Sequence, residues 1–169
     1  AILSDTDRLL AALRALIGKK RAVKTAAMQQ LLSGRLRLPG FATNGSLKNS
    51  ELGEIPEDWE VVKLGEIAEV KSGGTPSTSN KDFWDGEIAW CTPTDITALK
   101  GGKYLTQTSR NITKSGLQYS AAELLPVDSI VMTSRATIGE CAIAKIPVTT
   151  NQGFKNFICF DKVDSEFIY

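Results

Sequence analysis

The 169-residue chain contains no histidine, and that absence removes most of the acid–base chemistry a protein performs near neutral pH. Nucleophilic triads and most general-base arrangements lean on an imidazole, so their common forms are excluded. The phosphate loop G-x-x-x-x-G-K-[ST] is missing; Lys71-Ser72-Gly73-Gly74-Thr75 has its composition without its order. Also missing are G-x-G-x-x-G and the Asn/Asp-Pro-Pro-aromatic tetrapeptide with which an amino-methyltransferase holds its target base. Asp95, Asp128 and Glu140 are carboxylates of the type a metal-dependent nuclease needs, yet no spacing brings two of them onto one ion beside a lysine. No catalytic residue and no metal ligand is assigned, and independent catalysis is not expected.

Cys91, Cys141 and Cys159 are odd in number and widely spaced, which argues for buried thiols acting as small hydrophobes and against a disulfide framework or a zinc site. The first residues lack the order of a signal peptide, and no run approaches the roughly 18 apolar residues that span a bilayer. The chain is therefore expected to be soluble and cytoplasmic with no membrane partner. On that expectation the glycosylation-pattern matches Asn44-Gly45-Ser46 and Asn111-Ile112-Thr113 are chance.

Two kinds of sequence must position whatever these residues do. Residues 4–33 read as one helix, rich in Leu, Ala, Lys, Arg, Gln and Met and free of Pro. Ser4 with Asp5 and Asp7 gives the start signal, and Gly34 followed by Pro39-Gly40 the stop. Leu3, Leu10, Ile17 and Leu31 recur at seven-residue multiples, and Leu13 and Ala27 stand three further on, the seam of a coiled-coil helix. Such a stripe cannot bury itself and calls for another helix, from elsewhere in a longer chain or from a second copy as a homodimer. Lys20 and Lys24 interrupt the seam beside Lys19 and Arg21. That basic band admits two readings, a solvated helix surface or a docking site for an acidic partner.

Residues 40–52 are polar and carry Gly and Asn, as a linker does. Beyond them, β-favouring runs at 60–62, 88–91, 129–133, 141–146 and 157–160 alternate with turns, and 64–70 and 120–125 have the composition of short helices. The fold class is α+β: a long N-terminal coiled-coil-type helix (1–39), a linker (40–52) and a strand-rich domain (53–169). Charge follows this division. The first forty residues hold eight Lys or Arg against two Asp; residues 51–69 hold seven acids against Lys63 alone; residues 70–155 hold nine Lys or Arg against seven acids.

Residues 3–41, LSDTDRLLAALRALIGKKRAVKTAAMQQLLSGRLRLPGF, closely resemble the spacer helix of type I restriction-modification specificity subunits, through the unusual strings KKRAVKTAAMQQLLSG and RLPGF. Residues 54–96, EIPEDWEVVKLGEIAEVKSGGTPSTSNKDFWDGEIAWCTPTDI, resemble the opening of a target-recognition domain of that family. ITKSGLQYS (112–120), LLPVDSIVMTSRATIGECAI (124–143) and TTNQGF (149–154) extend the likeness. The resemblance implies a target-recognition domain of the DNA methylase specificity type, C-terminally incomplete at 169, that binds one half of a bipartite double-stranded DNA site. It implies a spacer helix that sets the distance between half-sites. Methyltransferase subunits and, through them, motor-endonuclease subunits are the implied partners; the methyl donor and Mg-ATP belong to those partners, so this chain binds no cofactor. An alternative function is an interaction module that pairs through its helix, or docks on a methyltransferase subunit, without reading DNA.

On that resemblance, base reading needs paired donors and acceptors, and phosphate contact needs cations or exposed amides. The expected DNA-binding residues are Lys71, Ser72, Gly74, Thr75, Ser77, Lys81, Thr92, Thr94, Arg110, Lys114, Thr133, Ser134, Arg135, Asn151, Gln152 and Lys155. The expected partner-binding helix residues are Leu3, Leu10, Leu13, Ile17, Lys20, Arg21, Lys24, Ala27 and Leu31. The Gly73-Gly74-Thr75-Pro76 turn is equally readable as a structural corner, and Asn151-Gln152-Gly153 as a tight turn that satisfies buried backbone. Trp59, Trp84 and Trp90 are expected in the core. An acidic face turned from DNA and a weakly basic reading face are expected, with useful affinity only in a multi-subunit assembly.

Overall fold

The computed structural model describes residues 2–41 and 45–169, and the chain divides into a unit ending at Val61 and a second unit, Val62–Tyr169. Residues 42–44 of the expected linker, including the Asn44 of the first glycosylation match, lie outside the described residues.

In the first unit, α1 spans Ile2–Leu32, 31 residues, about 46 Å at 1.5 Å per residue. Ser4 was expected to cap the helix, but the backbone is already helical at Ile2, so Ser4 lies inside the first turn. Every side chain from residue 3 to 30 is exposed, and the seam residues Leu10 and Ile17 are 46% and 52% accessible. The stop is at the expected place. Gly34 adopts φ +72°, the left-handed conformation that closes a helix, and the Leu36 amide donates to the Gln30 carbonyl. A methyl group at Gly34 would stand 2.4 Å from Pro56 Cγ, so glycine is needed there for space as well as for φ. Arg37 then donates to the Asp58 carboxylate and to the Phe41 carbonyl, with its guanidinium 5.5 Å from the ring centre of Trp59, which is half-buried and not a core residue as expected. The Arg37 hydrogen bond holds the Asp58 carboxyl below its ordinary range. Leu47–Ser50 (β1) and Gly53–Pro56 (β2) form an antiparallel hairpin, so part of the expected linker is a strand. The expected strand at 60–62 is absent: Trp59 N–H bonds back to the Pro56 carbonyl in a turn, and 60–63 are irregular.

The second unit packs two sheets. The larger has the order β3 (Ala68–Ser72), β10 (Phe154–Cys159), β7 (Ile130–Thr133), β8 (Cys141–Ala144), β5 (Tyr104–Leu105). The smaller has the order β6 (Arg110–Ile112), β4 (Trp84–Cys91), β9 (Val148–Thr150). β7, β8 and β9 are buried along almost their whole length, and side chains from both sheets fill the core. Cys91 and Val148 of the small sheet meet Val131, Ala142, Ala144 and Phe154 of the large one, joined by Ile96, Leu105 and Leu125. Phe154 is fully buried, a contribution of about 2–3 kcal/mol relative to exposure. Ala68, Ile130, Ile143 and Phe157 pack with Ile168 of α5 (Ser165–Ile168) in a second cluster. Trp84, Trp90 and Ile112 form a third with Leu117 of α4 (Lys114–Gln118) and Phe83 of the 3-10 turn Lys81–Phe83.

Two expected helices are corrected. Only Leu64–Ile67 (α2) of 64–70 is helical before the chain enters β3. Residues 120–125 form no helix: Ser120 Oγ accepts from the Ala122 amide, the Gly74 backbone lies against Ala121 and Ala122, and Leu125 makes a bridge to Val148. The remaining short helix, α3 (Pro93–Ala98), follows β4.

Candidate nucleic-acid interface

Five strand termini converge at one end of the second unit. Ser72 at the end of β3 pairs with Lys155, Thr133 at the end of β7 with Phe154, and Cys91 at the end of β4 with Thr150 at the end of parallel β9. The segments that leave these termini are bonded to one another. Gly74 N–H donates to the Thr150 carbonyl (2.8 Å), Asn151 N–H to the Cys91 carbonyl (3.1 Å), and Ser134 N–H and Oγ to the Gly153 carbonyl (2.7 and 3.0 Å). Thr75 Oγ1 donates to Gln152 Oε1, and Lys155 Nζ to Ser72 Oγ (2.7 Å). A methyl group at Gly73 would sit 2.0 Å from the Asn151 carbonyl oxygen, and one at Gly74 would sit 2.2 Å from the Ala121 backbone. The glycines therefore let the 73–74 backbone touch two others, at 150–151 and at 121–122.

This surface unites Ser72, Thr75, Ser134, Asn151, Gln152 and Lys155, with Ser77 close by through Trp84, whereas the expected contact residue Gly74 is buried beneath it with its amide and carbonyl both bonded internally. Arg135 follows Ser134 in the exposed turn between β7 and β8, and its Cβ lies 3.9 Å from the point a methyl group on Gly153 would occupy. The tight-turn reading of Asn151 is met, since its Oδ1 accepts from Gly153 N–H (2.9 Å), and Gln152 beside it is exposed.

Other expected residues have different surroundings. Lys71 is held between Glu69 (2.7 Å) and Glu123 (3.0 Å), and hydrogen bonds to those carboxylates raise its pKa. Thr133 is fully buried, its hydroxyl donated to the carbonyls of Thr137 and Glu140 inside the turn. Thr92 caps α3: its amide and hydroxyl both donate to Asp95 Oδ2, at 2.7 and 2.8 Å. Thr94 lies on α3, and Lys81 and Lys114 are exposed at the starts of the 3-10 turn and α4, outside the bonded group of converging segments.

Sequence reading missed the part played by Asp95. Burial pushes its carboxyl up, but bonds from Thr92 and Ser109, including Ser109 N–H to Oδ1 at 2.8 Å, outweigh that and hold it below its ordinary range. The available signal was the spacing Thr92-Pro93-Thr94-Asp95, a capping pattern. Trp84 and Trp90 are core residues as expected, and they also shape the surface. Trp90 Nε1 donates to the Gly74 carbonyl (3.0 Å) and Trp84 Nε1 to the Ser77 carbonyl (3.1 Å), while Arg110 lies over both rings at 3.9 Å (Trp84) and 5.2 Å (Trp90). Burial raises the Cys91 thiol pKa far above its ordinary value. Among the described residues, no group of three or more Cys, Asp or Glu side chains could hold a metal ion, and no helix is long and apolar enough to cross a membrane.

The chain resembles known proteins both in sequence and in fold. It is 43% identical over 129 residues to the type I restriction enzyme MjaIX specificity subunit of Methanocaldococcus jannaschii, a match covering 76% of this chain and 30% of that protein. Across the curated relatives it matches, the chain spans between 24% and 39% of their length. The HsdS subunit of Thermoanaerobacter tengcongensis superposes with TM-score 0.61 at 17% identity, over 94% of this chain and 35% of that one. A structure described for complex assembly and conformational transition of the type I R-M system gives TM-score 0.55 at 18% identity, over 95% of this chain and 38% of that one. These two likenesses establish the fold, including a long helix followed by a strand-rich α+β domain. Residues 56–169 match the family model for the type I restriction modification DNA specificity domain, and the chain belongs to the type I restriction-modification specificity-subunit family.

Proposed function

We propose that this chain reads one half of a bipartite double-stranded DNA target and directs partner methyltransferase and endonuclease subunits to it, with no catalysis of its own. Residues 53–169 are the target-recognition domain and residues 1–39 the spacer. The observation that carries the reading is the convergence of five strand termini on one polar surface, in a domain whose family is defined by DNA specificity. Ser72, Ser77, Gln152, Arg110, Arg135 and Lys155 offer donors there and Thr75 an acceptor; Lys81, Lys114 and Thr94 extend the surface as phosphate contacts.

The helix supports the second half of the reading. Its roughly 46 Å exceed one turn of B-DNA, about 34–36 Å, so it has the reach to separate two half-sites. Its exposed seam, Leu3, Leu10, Leu13, Ile17, Ala27 and Leu31 with Lys20, Arg21 and Lys24, is the surface for a partner helix or methyltransferase subunit. The methyl donor and nucleotide are bound by those partners. A footprint with the cognate methyltransferase subunit tests the proposal. Protection confined to particular sequence, and altered by exchanging residues 71–155, is expected; equal protection of every duplex would refute it and favour a docking role without base reading.

A further inference from the structure

Arg110 is held differently from the bonded cations of the second unit. Lys71, Lys103 and Lys145 are ion-paired, and Lys155 is bonded to a hydroxyl. Among the described residues, no carboxylate or carbonyl accepts a bond from the Arg110 guanidinium, which instead rests on indoles, 3.9 Å from the Trp84 ring centre and 5.2 Å from that of Trp90. Those rings cannot turn freely. They pack edge to face, with centroids 4.9 Å apart and planes at 84°, and each indole N–H is committed to a carbonyl of the 74–77 loop. Arg110 itself sits on β6, an edge strand of the smaller sheet, in register with Trp90.

The geometry points to Arg110 as a guanine-reading arm whose position is fixed in advance by the Trp84–Trp90 shelf. A stacked guanidinium keeps its N–H edge open, and two of those donors match guanine O6 and N7 in the major groove. A phosphate contact would require charge alone, which a flexible lysine supplies. An aromatic shelf adds what base reading requires, a restricted position with little side-chain freedom left to lose on binding. The inference rests on the proposed DNA-reading function and assigns one base contact within it.

The test is selection of duplexes from a random-sequence library by the assembled modification complex carrying this chain, either unsubstituted or as Arg110→Ala, Arg110→Lys or Arg110→Gln. The unsubstituted complex is expected to enrich a motif with guanine at one position, preferred about 5- to 150-fold over other bases. Arg110→Ala is expected to lose preference at that position alone, and Arg110→Gln to move it toward adenine; Arg110→Lys serves as the conservative variant should the others unfold, and is expected to weaken the preference. The thermal midpoint of each complex checks folding. An unchanged motif with uniformly weaker retention would mark a phosphate contact, and unchanged motif and retention a cover for the indoles; either overturns the inference and leaves the DNA-reading function intact. No motif from the unsubstituted complex overturns both.

Discussion

Replacing Asp95 tests whether the junction of β4, α3 and the approach to β6 depends on one buried carboxylate. Asp95 is 8% exposed and accepts from Thr92 N–H, Thr92 Oγ1 and Ser109 N–H at 2.7, 2.8 and 2.8 Å. Asp95→Ala leaves the capping residue Thr92 without its acceptor, worth about 1 kcal/mol, and leaves the Ser109 donor short of a partner, a further cost of about 1–3 kcal/mol. The expected loss is about 2–4 kcal/mol, read as a drop of roughly 8–16 °C in thermal midpoint for a domain of this size. Asp95→Asn keeps one acceptor oxygen and should lose about half as much. The pH dependence supplies an independent check. The folded-state pKa is lowered relative to an unfolded value of about 3.9, so the carboxylate's contribution is complete above the unfolded value and fades as pH falls through the folded one. The stability gap between the parent and Asp95→Asn should therefore narrow below about pH 4. Chemical denaturation at pH 7 and pH 3 measures this, and a gap that is absent at pH 7, or equal at both, refutes the account.

Gly73→Ala places a methyl group against the Asn151 carbonyl and the Thr150 side chain; a loss of about 1–3 kcal/mol from overpacking should appear in denaturant melts, and an unchanged midpoint would show that the loops do not press together. Arg135→Ala, at an exposed site beside the Ser134–Gly153 contact, is expected to lower DNA affinity of the assembled complex and reduce its log–log salt slope by about 1; titrations across a salt series decide, and parallel slopes argue against phosphate contact. Cys91 is fully buried with a raised thiol pKa, so a thiol reagent at pH 8 should modify it only after unfolding. Mass spectrometry of rapidly quenched native protein would expose the error if Cys91 were labelled first.

The sequence disclosed elements whose residues carry their own local preference. Helix α1 needed only composition and a glycine stop, and β4, β7, β8 and β10 contain apolar β-formers in the expected places. The β1–β2 hairpin escaped notice because LKNS and GEIP are polar or contain breakers; their pairing comes from the turn, where Ser50 Oγ donates to the Gly53 carbonyl. Glu60-Val61-Val62 has strand composition but no neighbouring strand to pair with among the described residues. For the site, residue types were visible and their availability was not. Nothing in Lys71 announces that Glu123, fifty-two positions on, will answer its charge, or that Thr133 will turn its hydroxyl inward. The contact of Arg110 with two indoles likewise depends on a cross-strand register that only the folded sheet reveals.

The junction of residues 73–74 with 150–151 constrains how the gene can change. Because the 150–151 backbone leaves no room for a side-chain carbon at Gly73 and bonds directly to the Gly74 amide, a recombination breakpoint anywhere between them would join halves that had never been fitted together. New binding preferences should thus spread between lineages by exchange of the whole second unit as a cassette, while single-residue drift is confined to outward-pointing positions such as Gln152 and Arg135.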